Sequence, residues 1–95
     1  MATKLKRFLV ERDIPGIGAM SIVELCGASR ASNQAIADMG PTIQWHHTYI
    51  ADDKAFCIYL ADSADSIRRH AEMAGLPANK VTEVSQIIDP LTANN

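Results

Sequence analysis

Two stretches with helical apolar periodicity, separated by two β-rich stretches, constrain the fold of this 95-residue chain most strongly. The first helix is predicted to begin at Ser21, where Ser-Ile-Val-Glu forms a capping box, and to stop at Gly40-Pro41. The second is predicted after a cap at Asp62 or Ser63. Two inner stripes are expected, one of Ile22, Leu25, Cys26, Ser29, Ile36 and Met39, the other of Ile67, His70, Ala71 and Ala74.

Four β-rich segments surround these helices, at residues 7–12, 43–50, 55–60 and 80–88. The order β-α-β-β-α-β is that of the ferredoxin-like α+β fold, with strand order 4-1-3-2 in one antiparallel sheet. Both helices then cover one sheet face and leave the other bare. We expect residues 1–95 to form a single domain, with a core of about 6–88 and a C-terminal tail at 89–95.

Charge and hydropathy exclude several classes of function. The net charge is −2 with no run of either sign, which argues against nucleic-acid binding. No apolar stretch approaches the roughly 20 residues of a membrane span, and no signal sequence is recognisable. The two cysteines form no Cys-x-x-Cys pair, so free thiols are expected. These features predict a cytoplasmic protein without membrane or nucleic-acid partners.

The bare sheet face predicts a homodimer. The chain has only five aromatic residues, and two of them, Trp45 and Tyr49, are expected on this face. An exposed apolar patch of that kind usually marks an interface, and a small core is often completed by a second subunit.

The central hairpin carries most residues with chemical potential. A three-residue loop at 52–54 would pair Tyr49 with Cys57 and His47 with Tyr59, all on the open face. A two-residue loop would shift the register by one position and mix the two sets. We favour the three-residue loop.

Imidazole and thiolate ligands suit zinc, nickel or copper, so a metal site is one interpretation of the hairpin. His47 and Cys57 would be ligands, with Glu11 from the first strand. His70 is a further candidate, although a residue on the inner helix stripe reaches the bare face only around an edge. If the ligands are split between the faces, one or two smaller sites would result. In a competing interpretation these residues have only structural roles. The histidines are then exposed residues or helix residues whose hydrogen bonds are made within the protein, and Cys57 packs as a small hydrophobic side chain.

Catalysis is a second interpretation. Cys57 could be a nucleophile with His47 as its base, but no third residue orients the pair. A dimeric α+β barrel enzyme could instead enclose an organic substrate between stacked sheets, lined by Trp45, Tyr49 and Tyr59, with His47 transferring protons. A plain dimerisation module is the third possibility. A non-catalytic protein is favoured over an enzyme.

Several motifs in order resemble a family of small bacterial ferredoxin-like proteins. They are Phe8-Leu-Val-Glu-Arg-Asp-Ile-Pro-Gly16, Gly40-Pro-Thr-Ile-Gln-Trp45 with Tyr49, Phe56-Cys-Ile-Tyr59, Ile67-Arg-Arg-His-Ala71, Ala74-Gly-Leu-Pro77 and Val81-Thr-Glu-Val84. The family is a domain of unknown function (four-two-four-two) that includes an actinobacterial nickel-binding protein, and the resemblance spans about residues 7–91.

The resemblance implies a ferredoxin-like dimer and, for some members, nickel binding. His47, Cys57 and His70 match positions where the nickel-binding member also has His, Cys and His. Glu11 stands where that member carries histidine, so one ligand would change from nitrogen to oxygen. We therefore expect a transition metal, with nickel ahead of zinc or copper, at Glu11, His47, Cys57 and His70.

Overall fold

Four strands and two helices follow one another in the predicted order in the computed structural model, which describes residues 4–95. Two short 3-10 turns, Ile17–Ala19 and Pro90–Asn94, lie outside these elements. The main elements are β1 (Lys6–Asp13), α1 (Ile22–Met39), β2 (Ile43–Ala51), β3 (Lys54–Ala61), α2 (Ala64–Ala74) and β4 (Lys80–Glu83). None of the helices in residues 4–95 is long and apolar enough to cross a membrane.

The four strands form one antiparallel sheet in the order β2-β3-β1-β4. Both helices lie on the same side of it. The ferredoxin-like α+β fold and its strand order are therefore confirmed.

Burial alternates along the two central strands and defines two sheet faces. The helix face consists of Phe8, Val10 and Arg12 from β1 and Ala55, Cys57, Tyr59 and Ala61 from β3, all buried. The open face carries the intervening residues, which are only half-buried: Leu9, Glu11, Phe56, Ile58 and Leu60. The core therefore lies entirely between the sheet and the helices.

The turn of the central hairpin differs from the prediction. Ala51 pairs with Lys54, so the loop contains two residues, Asp52 and Asp53, and the preferred three-residue loop is wrong. Asp52 adopts a left-handed φ of 49°, which aspartate tolerates and a two-residue hairpin turn requires. As a result Thr48, and not Tyr49, pairs with Cys57.

A β-bulge in β2 changes the register a second time. Trp45 pairs with Tyr59 and His47 pairs with the adjacent residue of β3, Ile58. His46 therefore has no partner of its own on β3. Trp45 therefore shares the helix face with Tyr59, whereas His47 shares the open face with Ile58. The predicted pairing of His47 with Tyr59 is wrong because the loop contains two residues. The bulge has a different effect, since it moves Trp45 from the predicted open face to the helix face.

Helix α1 begins and ends where the sequence predicts. The Ser21 hydroxyl accepts a hydrogen bond from the Glu24 backbone N–H at 3.2 Å, and the Glu24 carboxylate accepts one from the Ser21 N–H at 3.2 Å. Gly40, with a φ of 81°, ends the helix. The predicted stripe fails in the first turns, where Ile22 is 79% exposed and Cys26 is exposed.

The stripe of α2 is confirmed, because Ile67, His70 and Ala71 are all buried. Strand β4 is shorter than predicted and ends at Glu83. Beyond Glu83 one more backbone bond joins the two strands, from the Val84 N–H to the Arg7 carbonyl at 2.8 Å, and β1 itself begins at the preceding residue, Lys6. The chain after it carries three exposed apolar residues, Ile87, Ile88 and Leu91.

Candidate functional site

The four predicted metal ligands are divided between the two faces of the sheet. Glu11 and His47 belong to the open face, whereas Cys57 lies on the helix face and His70 on the buried side of α2. No group of three or more His, Cys, Asp or Glu side chains in residues 4–95 is placed to hold a metal ion. The structure therefore does not bring these four residues together within one chain.

On the open face, His47 is exposed at the edge strand of the sheet. Its ring and the ring of Tyr49 form a T-shaped pair, with centroids 4.9 Å apart and planes at 83°. Glu11 lies on β1, two strands away from His47 on β2. It pairs with Phe56 of β3, and Phe56 pairs in turn with Tyr49 of β2. His47 and Glu11 thus share a face but are separated by β3.

His46 lies beside His47 and is also exposed. Simple alternation would place the two imidazoles on opposite faces, but the bulge at His46 breaks that alternation. No glycine or proline marks this bulge in the sequence, so sequence reasoning could not find it.

His70 is fully buried against Ser32 of α1. Its Nε2 lies 3.2 Å from the Ser32 carbonyl oxygen and 3.1 Å from the Ser32 hydroxyl. A carbonyl only accepts hydrogen bonds, so Nε2 is assigned the proton and Nδ1, which is buried with no partner, is a bare acceptor. Burial lowers the pKa of His70, which favours this neutral imidazole.

Cys57 and the aromatic residues do not form the catalytic arrangements considered from the sequence. Cys57 is buried on the helix face, opposite to the face of His47, so the two cannot act as nucleophile and base in one chain. Trp45 and Tyr59 lie on the helix face and Tyr49 on the open face. Sheets stacked through their open faces would therefore enclose only Tyr49 of these three.

A cavity of about 340 Å³ lies between the N-terminal half of α1 and the helix face of the sheet. Sequence reasoning missed it, because it depends on how far α1 stands from the sheet. Its lining is predominantly apolar: Ile14, Ile17, Met20, Ile22, Leu25, Ala28, Trp45, Ile50, Ala55 and Leu76, with Arg12, Ser29, Ser32, Thr48, Cys57 and Tyr59 as the polar or sulfur-bearing members.

Arg12 is the one charged residue that lines this cavity, and it is only 2% exposed. Its guanidinium donates to the Pro77 carbonyl at 2.6 Å and to the Tyr59 hydroxyl at 3.3 Å. Within residues 4–95 no carboxylate lies within ion-pair distance of it. Burial raises the pKa of Tyr59, against the opposing effect of the Arg12 charge, so the phenol remains protonated.

Comparison with known proteins identifies a family. A family profile described as "Nickel responsive protein SCO4226-like" matches residues 8–84. The crystal structure of SCO4226 from Streptomyces coelicolor A3(2) superimposes with a TM-score of 0.72 at 21% sequence identity, covering 86% of this chain and 99% of that one. No protein with a curated description matches the chain. The profile covers most of the sequence, and the chain belongs to the SCO4226-like family of nickel responsive proteins.

Proposed function

We propose that the protein is a cytoplasmic homodimer that binds nickel on the open face of its sheet, through His47 and Glu11 of both chains. One observation carries the proposal: a member of a nickel responsive family presents an exposed imidazole and a carboxylate on the one sheet face that its helices leave bare.

A single chain is a poor match for nickel. Glu11 and His47 are two donors on opposite sides of β3, and residues 4–95 contain no larger cluster. A two-fold dimer through the open face doubles the number of donors, because both chains contribute the same surface patch to an isologous interface. Four nitrogen and oxygen donors would then be available at one interface.

The apolar character of the open face favours such a dimer. Leu9, Phe56, Ile58 and Leu60 are only half-buried in the single chain, and Tyr49 is 62% exposed. A contiguous patch of this kind is typical of a surface that is covered by another protein. The exposed Ile87, Ile88 and Leu91 after β4 could extend the same interface onto the partner.

The chemistry of the donors favours nickel over harder ions. Imidazole is a good ligand for nickel, zinc and copper, whereas magnesium and calcium prefer oxygen alone. Cys57 and His70 are left out of the proposed site, because both side chains are buried on the helix side of the sheet.

Cys26 and Cys57 are both free thiols, and free thiols are usual in a reducing compartment such as the cytoplasm.

Calorimetric titration of nickel into untagged protein at about pH 7.5 tests the proposal. We expect saturable binding that weakens near pH 5.5, because the ligands must lose their protons to bind. His47→Ala and Glu11→Gln should each weaken binding by at least roughly 10-fold, the lower range for losing even an outer partner of a metal ligand. Cys57→Ser should bind nickel as the parent protein does.

His46→Ala is the matched control, since His46 is an exposed imidazole directly beside His47. It should leave nickel affinity nearly unchanged. Equal losses from His46→Ala and His47→Ala would indicate simple chelation by an adjacent surface pair and would contradict a site shared with Glu11.

A further inference from the structure

We propose that the cavity between α1 and the helix face binds a small organic monocarboxylate with an apolar body, whose carboxylate meets Arg12. The nickel proposal concerns the opposite face of the sheet, so the two stand independently.

The state of Arg12 is the first reason. A buried charge is costly unless an opposite charge or several hydrogen bonds compensate it. Arg12 is 2% exposed, has two hydrogen-bond acceptors, the Pro77 carbonyl and the Tyr59 hydroxyl, and faces no carboxylate within residues 4–95. A guanidinium has five N–H donors in a fork that matches a carboxylate, so an anionic ligand would complete its pairing.

The side chains beside Arg12 also suit a carboxylate. The Tyr59 hydroxyl accepts a hydrogen bond from Arg12, which leaves its own hydrogen free to donate. The Ser32 hydroxyl, also buried, lies on the cavity wall. Arg12, Tyr59 and Ser32 are all buried residues that line the cavity, and their guanidinium, phenol and alcohol are groups that bind an acidic oxygen pair.

The apolar part of the cavity wall indicates what the rest of the ligand must be. Ile17 and Ala55 are buried, whereas Met20, Ile22 and Ile50 are exposed, so the exposed residues mark the mouth of the cavity. A polar end deep in the cavity and an apolar mouth predict an amphipathic molecule that enters carboxylate first. The volume of about 340 Å³ equals roughly 11 molecules of liquid water at about 30 Å³ each, so the ligand has on the order of ten non-hydrogen atoms.

Trp45 provides a direct signal for binding. It is the only tryptophan of the chain and lines the cavity, with its indole N–H donating to the Thr48 hydroxyl at 2.9 Å. Decanoate, titrated below its micelle concentration, should therefore change the tryptophan emission in a saturable way. Decanol, which has the same chain without the charge, should bind about 10- to 100-fold more weakly, the usual worth of a hydrogen bond to a charged group.

Arg12→Met separates charge recognition from shape. This variant should bind decanoate no better than decanol, and replacement of an uncompensated buried charge by a hydrophobe should leave the fold at least as stable. Ala28→Phe, which places a ring in the cavity from α1, should abolish binding of both molecules. Ala31→Phe is its control, because Ala31 is exposed on the same helix but does not line the cavity.

Three results would overturn the proposal. They are the absence of any saturable change with decanoate in the parent protein, equal affinities for decanoate and decanol, and unchanged decanoate binding in folded Ala28→Phe. The first two need no variant, so the proposal remains testable if Arg12→Met fails to fold.

Discussion

Replacement of Gly18 with alanine is expected to lower the free energy of unfolding by about 2 to 4 kcal/mol. A Cβ at this position would lie 2.7 Å from the Asp52 carbonyl oxygen, 2.9 Å from its nitrogen and 3.0 Å from its Cα. These are backbone atoms, so no side-chain rotation relieves the contact. Overpacking of this kind costs about 1 to 3 kcal/mol.

The same contact includes a hydrogen bond, since the Gly18 N–H donates to the Asp52 carbonyl at 2.6 Å. Separating the two segments lengthens this bond, which is worth about 1 kcal/mol. At about 4 to 8 °C per kcal/mol for a domain of this size, a loss of about 2 to 4 kcal/mol should lower Tm by roughly 10 to 30 °C.

Gly27→Ala is the matched control for this prediction. Gly27 lies within α1, and a Cβ there would meet nothing within 4 Å. Alanine is the better helix former by about 0.5 to 1 kcal/mol, so this variant should be slightly more stable than the parent. Thermal unfolding followed by circular dichroism measures both. A Gly18→Ala variant as stable as the parent would refute the close approach of the first 3-10 turn to the hairpin.

Three further predictions concern stability and assembly. Ser21→Ala removes the observed capping box of α1 and should cost about 1 kcal/mol in urea denaturation; an unchanged midpoint would contradict it. Ile58→Glu places a charge on the open face and should sediment at the chain mass of 10.3 kDa, whereas the parent should sediment at twice that mass; a variant that remains dimeric would argue against this interface. Burial lowers the pKa of His70, so below the unfolded value of about 6.5 the unfolded chain binds a proton that the folded chain excludes. The folded state therefore loses stability as pH falls from about 6.5 towards the lower pKa of folded His70, and the His70→Gln variant should lack this loss. If the free energy of unfolding depends on pH in the same way in the parent and in His70→Gln, the assignment of a neutral, buried His70 is contradicted.

The element order and the helix ends were predictable because their signals are local. The Ser21-Glu24 capping box and the Gly40-Pro41 stop each lie within a few residues of the helix end that they determine. The same local rules placed His70 on the buried stripe of α2, as observed.

The separation of His47 from Cys57 could not be decided from the sequence, because it depends on a one-residue difference in the length of the hairpin loop. The bulge at His46 is a second single-residue shift, and it moves Trp45 to the helix face. Neither Asp52-Asp53 nor His46 includes the glycine that usually marks a tight turn or a bulge. Each shift reverses which side chains face the helices. The cavity at Arg12 depends on the distance of α1 from the sheet, which no short sequence pattern encodes.

X-ray absorption at the nickel edge, on untagged protein loaded with less than one nickel per chain, tests the central claim most directly. Binding on the open face predicts a first coordination shell of nitrogen and oxygen, with the multiple-scattering pattern of imidazole from His47. The spectrum should be unchanged in Cys57→Ser, because the Cys57 thiol lies on the opposite face. A sulfur ligand that disappears in Cys57→Ser would contradict the account and place nickel on the helix side of the sheet.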